Sequence, residues 1–449
     1  MVAWEWGRVI KDSERRGGYQ EVWVRLARDL SLTKAVVYTK LHSPVIPGDT
    51  VLLNRTAADL QLGSGGVDFV NAVIRDGEWI RQSAHGRAQW SIRCLEAEER
   101  LSERWAAGFD RPIIATAVKQ GAPADDSDRS QSSLPQSEAG SEVSSYPSKR
   151  KDGHIMKLRY TPIQTAVLAA EEEGSEHHQL FTEERSLEGT PVLIGELHSM
   201  LPVAMCWLRS LARAEYADRM PRVVYVMTDG GALPLAFSSH VSLMTDSGWL
   251  AGTVTYGHAI GGDIEAVNKY TALLAAKHIL EADLIIVTMG PGIAGTGTIY
   301  GYSGIEAGEV LNAAAVLGGR PIVIPRLSFA DPRERHHGLS HHILTTLTKV
   351  AAHRAMLPLP EDLEPWQKNR INKQAEQSGC TDQHELLWLG GNTRALLEES
   401  LRAYPKPILT MGRGWDEDPA FFLGAAAAAH LGWHLWRYPY YQAGSESRG

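Results

Sequence analysis

From residue 191 onward the chain switches regularly between two hydrophobic periods, and this alternation restricts its fold more than any other feature. Short apolar runs of β type occupy 191–197, 222–227, 250–256, 283–289, 321–325 and 407–411, with helical patterns at 200–216, 264–280, 305–317 and 343–355. Apolar strands joined through helices cannot pair by tight hairpins, so they run parallel and need helices over both faces. The expectation is a mainly parallel, Rossmann-like three-layer α/β domain over residues 153–435 that opens with a β-hairpin near 153–170.

The rest of the chain obeys other patterns. Residues 1–119 carry alternating runs at 4–10, 19–26, 34–41, 50–54, 67–74 and 90–94, separated by Gly17-Gly18 and Pro47-Gly48-Asp49. They predict a small antiparallel β-barrel or sandwich. A glycine-rich connection at 57–66 is long enough to reach toward the second domain. Residues 120–152 turn to Ser, Asp, Glu, Pro and Gln and read as a disordered linker or insertion, because nothing there offsets the entropy of ordering. Its closing Lys149-Arg150-Lys151 is a solvated charge run, and 436–449 reads as a flexible tail.

Composition removes several function classes. The longest apolar stretch, 421–429, falls far short of the roughly 20 residues that span a bilayer. Arg8, Lys11, Asp12 and Glu14 interrupt any signal-peptide core. A formal charge of −8 argues against a broad nucleic-acid surface. The three cysteines, Cys94, Cys206 and Cys380, form no C-x-x-C and fit reduced thiols, with Cys206 in a helix core. The expected compartment is the cytoplasm, and a homo-oligomer is compatible with the sequence.

In an open parallel sheet, ligands bind outside the carboxyl ends of the strands. The first strand here ends in Glu196-Leu197-His198, the second in Thr228-Asp229, and the third in Gly257-His258 followed by Asp263, Glu265 and Asn268. Asp263 reads as a helix N-cap, with Glu265 and Asn268 on one face of that helix. Glu196 and His198 near Asp229 would make an acid/base or metal cluster. The fifth strand ends in Arg326 and Ser328, followed by Asp331, and the sixth in Arg413.

The fourth strand runs into a loop with six glycines between Gly290 and Gly304. Its G-x-G-x-x-G lies on a late strand, the helix starts some nine residues late, and the next strand ends in Arg326 where a ribose-binding acid would stand. A standard NAD site is disfavoured, and no G-x-x-x-x-G-K-[ST] is present for ATP. An anion cradle is preferred, with Gly290, Gly292, Gly295, Gly297 and Thr298 supplying donors and Arg326 the counter-charge.

Residues 331–342, DPRERHHGLSHH, form the second dense stretch. With Ser340 as N-cap, His341 and His342 fall in the first helical turn. Arg333, His336, His337, His341 and His342 are compatible with anion binding, acid/base work, metal ligation, or capping with no chemistry. Spacing alone does not establish metal ligands, so a metal is allowed but not favoured.

The segments GELHSMLP at 195–202, TDGGALP at 228–234, GHAIGGDIEAVNKYTAL at 257–273, MGPGIAGTGT at 289–298 and PRLSFADPRERHHGLSHH at 325–342 together resemble the bacterial domain-of-unknown-function 3866 family. GDTVLLNRTAADLQLGSGG at 48–66 and GHIMKLRYTPIQ at 153–164 extend the likeness over most of the chain. The resemblance implies a domain type and bacterial origin, with no assigned activity. The residues themselves favour a hydrolase or transferase for a small anionic or phosphorylated metabolite. Catalytic candidates are His258, His341, His342, Asp229 and Glu196, with charge from Arg326, Arg333 and Arg413. The alternative is a non-catalytic ligand-binding or regulatory protein whose β-domain binds a partner. The reading requires the glycine loop to face segment 331–342 across one rim.

Overall fold

The computed structural model describes residues 3–55, 58, 66–75, 78–80, 155–158, 165–215, 220–389 and 393–439. The strand expected at 90–94, nearly all of the glycine-rich connection, the linker at 120–152 and the tail from 440 lie outside the described residues.

Strands β1 (Trp4–Arg16), β2 (Tyr19–Leu26), β3 (Leu32–Tyr38), β4 (Thr50–Asn54), β5 (Val67–Arg75) and β6 (Glu78–Ile80) form one sheet in the order β3-β2-β1-β4-β5-β6. A parallel pairing of β3 with β5, from Lys34↔Val67 to Val36↔Phe69, closes the first five strands into a barrel. Alternation dictates its inside, where Val9, Val22, Val24, Val37, Val51 and Leu53 are buried together. Register shifts at Val9/Lys11 and Asp12/Glu14 let the long β1 bend around that core.

After the hairpin β7 (Ile155–Lys157) and β8 (Thr165–Val167), the chain builds an eight-stranded, all-parallel sheet. Its strands are β9 (Pro191–Gly195), β10 (Val223–Thr228), β11 (Gly252–Tyr256), β12 (Ile264–Ala266), β13 (Leu284–Met289), β14 (Arg320–Val323), then, past the small hairpin β15 (Leu327–Ser328) and β16 (Gly338–Leu339), β17 (Met356–Pro360) and β18 (Glu385–Leu389). The order is β12-β11-β10-β13-β9-β14-β17-β18. Helix α1 (Met200–Ala214) carries the chain from β9 to β10, α2 (Ser239–Asp246) from β10 to β11, α3 (Lys269–His278) from β12 to β13, and α4 (Glu306–Val316) from β13 to β14. The first two crossovers travel one way along the sheet and the last two the other way. Right-handed connections moving in opposite directions lie on opposite faces, which yields the three-layer Rossmann-like architecture. Helix α5 (His341–Thr345) precedes β17 and α6 (Pro365–Ser378) precedes β18, while α7 (Thr393–Ala403) and α8 (Pro419–Arg437) pack on α1. Among the described residues no helix is long and apolar enough to cross a membrane.

The sheet differs from the sequence expectation in four places. Residues 407–411 are not a sheet strand. Leu409 and Met411 are exposed, and Met411 (φ 48°) and Gly412 (φ 80°) turn the chain so that Thr410 and Arg413 pair at 2.9 Å. The helix expected over 264–280 is split: Ile264–Ala266 pair with β11, and Asn268 starts the helix by accepting from the N–H groups of Tyr270 and Thr271. Residues 343–355 form only the end of α5 and a single π-turn at Thr346–Val350. Finally, β17 and β18 are additional strands. Pro358 and Pro360 disguise β17, because they are two apart and their missing N–H groups fall on one side. The β14 ladder accordingly stops at Ile322↔Met356, whereas the β18 ladder runs from Met356↔Glu385 to Pro360↔Leu389.

The barrel packs on the loops that follow β10 and β11. Phe237 sits against Tyr19 and Phe69, with ring centroids 6.5 and 6.3 Å away, and Arg16 donates to its carbonyl at 3.0 Å. Lys40 reaches the Gly261 carbonyl at 3.1 Å. Replacing Phe237 by Ala removes this aromatic wedge and is expected to cost roughly 1–3 kcal/mol. Hydrogen exchange should show faster exchange in β2 and β3 with β9 and β13 unchanged; unchanged barrel protection would refute the wedge role.

Candidate functional site

The reversal of crossover direction places a crevice at the carboxyl end of β9, between β13 and β14. Three segments enter it: Glu196 directly after β9, the glycine loop after β13, and Arg326 with the histidine segment after β14. The strands beneath are wholly buried and, apart from Thr288 in β13, free of polar side chains, so the charged groups appear only where the strands stop.

Glu196 and Arg326 are both buried and paired at 3.0 Å. The same Arg326 nitrogen lies 3.1 Å from Nδ1 of His342. Guanidinium only donates, so His342 accepts at Nδ1 and a neutral ring carries its proton on Nε2. Oε2 of Glu196 is buried without a hydrogen-bond partner, 3.7 Å from His342 Nδ1. Burial raises the Glu196 carboxyl above its ordinary range against the opposing pull of Arg326.

The histidine segment folds back on itself through a short turn at Glu334–His336 and the strand β16, which pairs with β15. Ser340 caps α5, accepting from the His342 N–H at 3.3 Å, and its hydroxyl lies 2.8 Å from Nδ1 of His336. These turns bring His336, His341 and His342 together, with ring centroids 4.3 to 5.1 Å apart. Desolvation and the neighbouring arginines lower all three, His336 to about 3 and His342 to about 2, so the rings are neutral at physiological pH.

The glycine loop is a tight hairpin. Thr296 donates to the Gly301 carbonyl at 2.8 Å and Ser303 to the Ala294 carbonyl at 2.9 Å. Gly292 (φ 100°) and Gly297 (φ 75°) take conformations that side chains resist. The loop meets the histidine segment directly. The Tyr302 ring stacks on His342 at 3.9 Å and 2°, and its hydroxyl donates to the His342 carbonyl at 2.8 Å. Among the described residues the N–H groups of Gly292, Gly295 and Gly297 have no acceptor. A Cβ at Gly297 would lie 3.9 Å from the guanidinium of Arg335, an exposed cation with no ion-pair partner among the described residues.

The other expected site residues are placed differently. Asp331 binds Arg333 through two side-chain bonds of 2.8 Å and accepts from Arg413 at 3.3 Å; these partners hold its carboxyl far below the usual range. Arg413 also pairs with Asp418 at 3.1 Å, and Ser328 donates to Asp418 at 2.6 Å. The charges of Arg333 and Arg413, expected to face a ligand, are therefore matched internally. His337 is half-buried on the outer side, near Glu334 at 3.8 Å, and Thr298 lies at the exposed loop tip bonded to Thr296 at 2.9 Å.

The expected cluster of Glu196, His198 and Asp229 does not form. His198 donates from Nδ1 to the Met289 carbonyl at 3.3 Å and accepts at Nε2 from Ser238 at 2.6 Å, with desolvation lowering it to about 3. Asp229 accepts from the His258 N–H at 3.0 Å, and Nδ1 of His258 accepts from Leu158 at 3.1 Å. Asp263 caps no helix; its carboxylate accepts from the N–H and hydroxyl of Thr253, both at 2.8 Å. Glu265 stands on β12, not on a helix, and binds Lys157 at 2.6 Å and the Gly261 N–H at 2.7 Å. Cys206 is buried and free, its thiol pushed up to about 12.

Three contributors escape the sequence reading: Arg335, Tyr302 and Glu306. Glu306 opens α4, accepts from Thr228, and shares with Glu196 a small pocket also lined by Met289, Gly304 and Val310. Glycines make this approach feasible. A Cβ at Gly304 would fall 2.9 Å from Oε2 of Glu196, and one at Gly230 would fall 2.3 Å from Oε1 of Glu306. Burial, with Asp229 nearby, raises Glu306 from 4.5 to about 7.

The family model described as "Protein of unknown function (DUF3866)" matches residues 34–91 and 139–429. No curated protein matches the chain.

Glu306 has a measurable signature. Between 4.5 and about 7 the native state holds the Glu306 proton while the unfolded chain has lost it, so stability falls as pH rises through that window. A Glu306→Gln variant lacks this slope. Relative to wild type it should gain roughly 1–3 kcal/mol between pH 5 and pH 8 in urea denaturation; a pH-independent difference would exclude the raised value.

Proposed function

Since the chain belongs to the DUF3866 family, whose description assigns no activity, we propose from the site itself that it is a hydrolase or transferase acting on a small anionic or phosphorylated metabolite at the carboxyl edge of the parallel sheet. The observation that carries the reading is the unpaired Arg335 guanidinium beside Gly297, on a rim where glycine N–H groups lack acceptors and three neutral imidazoles converge. The counter-charge expected of Arg326 passes to Arg335, because Arg326 is buried and neutralised by Glu196. Backbone N–H groups and one planar guanidinium match a phosphate or carboxylate, and neutral imidazoles supply proton acceptors beside it. A preformed cradle with titratable groups at a switch point supports catalysis over passive binding.

Inorganic phosphate is the test ligand. Calorimetry at moderate salt should detect its binding to the full chain, and Arg335→Ala should weaken it about 10- to 100-fold, the loss of one charge-assisted hydrogen bond. Equal affinity in the two proteins, or no binding to wild type, would remove the anion-site reading.

A further inference from the structure

Two buried polar atoms beside His342 have no partner in the contacts described above. They are Nε2 of His341 and Oε2 of Glu196. An unsatisfied buried polar atom is destabilising, and both adjoin the same imidazole: His341 by ring contact at 4.3 Å, Glu196 at 3.7 Å. His336, His341 and His342 each bring one ring nitrogen within 4.8 Å of the others. Nδ1 of His336 is engaged with Ser340 and Nδ1 of His342 with Arg326, so Nε2 is the nitrogen left in both rings. Tetrahedral nitrogen ligands at about 2.1 Å lie about 3.4 Å apart. Ring rotations of about an ångström close the set.

The geometry points to a divalent-metal centre of zinc type, ligated by His336, His341 and His342 through Nε2, with a fourth position facing the glycine loop. This rests on the reading of the rim as the ligand site and adds a cofactor to it. Three imidazoles without thiolate suit zinc or cobalt better than magnesium or calcium. Of the arginines around the three rings, Arg326 is neutralised by Glu196 and Arg333 by Asp331, which leaves Arg335 as the unmatched cation near the dication among the described residues. A bound anion would then lie between the cation and Arg335. Loading requires the His342 proton to move from Nε2 to Nδ1, since the lone pair at Nε2 goes to the cation, and this breaks the hydrogen bond that Nδ1 accepts from Arg326. Arg326 cannot accept the relocated proton, but the unpartnered Oε2 of Glu196 can. Glu196 is thus the positioning residue that orients His342, as carboxylates behind metal-bound imidazoles commonly do.

The experiment uses the untagged full chain, stripped with chelator and titrated with Zn²⁺ alone and separately with Co²⁺. Elemental analysis after dialysis should find one zinc per chain, and cobalt should develop the visible absorption of a four-coordinate site. His341→Ala, a change at a half-buried ring, should abolish both, and Glu196→Gln should weaken zinc about 10- to 100-fold. Substoichiometric zinc on wild type, an octahedral cobalt spectrum, or undiminished binding by His341→Ala would overturn the centre. The wild-type measurements decide the matter even if a variant fails to fold. Zinc bound without phosphate binding leaves the centre standing and removes the anion reading, and phosphate bound without zinc does the reverse.

Discussion

The buried Arg326–Glu196 pair, with His342 on the same guanidinium nitrogen, is the constraint on which the site depends. It ties the end of β9 to the end of β14 and the first turn of α5, which the Ser340 N–H to Arg326 carbonyl bond and the β15–β16 pairing already hold to each other. Neither charge is tolerable alone at this depth, and removing one partner from such a pair typically costs 3–5 kcal/mol. The pair contributes less to net stability than to position. It sets the height of the histidine segment above the sheet, and Tyr302 then sets the glycine loop against that segment by stacking on His342 and bonding its carbonyl. Each loop is therefore located through His342.

Most charges on the rim are matched by neighbours. Asp331 draws Arg333 and Arg413 together, and Asp418 at the start of α8 holds Arg413 and Ser328. This network fastens the segment after β14 to the helix on the opposite side of the strand ends. Among the described residues of the rim this leaves the Arg335 guanidinium unmatched beside the glycine hairpin, with His342 stacked on Tyr302 and the His336 and His341 rings packed against His342. Preorganisation of that kind lowers the ordering cost when a ligand arrives.

Strand and helix alternation was legible because apolar periodicity is a local property, and it sufficed for a parallel sheet behind a barrel. The elements misread were those governed by pairing. β17 contains two prolines that periodicity treats as breakers, while the structure tolerates them where the β14 ladder ends. Residues 407–411 show the converse, an apolar run with no strand to pair with. Site residues followed the same division. The segments that carry the site stood out as clusters of Gly, His and Arg at strand ends. Which arginine is free was not legible, because Arg333 and Arg335 occupy equivalent positions in DPRERHH and differ only in that Asp331 folds onto one of them. Asp263 and Asn268 present the same problem. Both have cap chemistry, and the β12–β11 pairing decides which one starts the helix.

Glu196 and Glu306 extend this logic to chemistry. Both are carboxyls at the carboxyl edge, both approach glycines that leave room for them, and they line the same small pocket. Their surroundings differ in one respect. Glu196 has a guanidinium against it, whereas Glu306 has a hydroxyl from Thr228, the like charges of Asp229 and Glu309 and the weaker pull of Lys269. Burial raises both acids, but in unequal fields: Glu196 is held against its counter-ion, whereas Glu306, at about 7, is free to exchange a proton near neutrality. The glycines at 230 and 304 follow from this arrangement. A side chain at Gly304 would displace Glu196 from Arg326, and one at Gly230 would displace Glu306 from Thr228. Part of the glycine content of these loops therefore serves the carboxyls behind the rim, not the ligand in front of it.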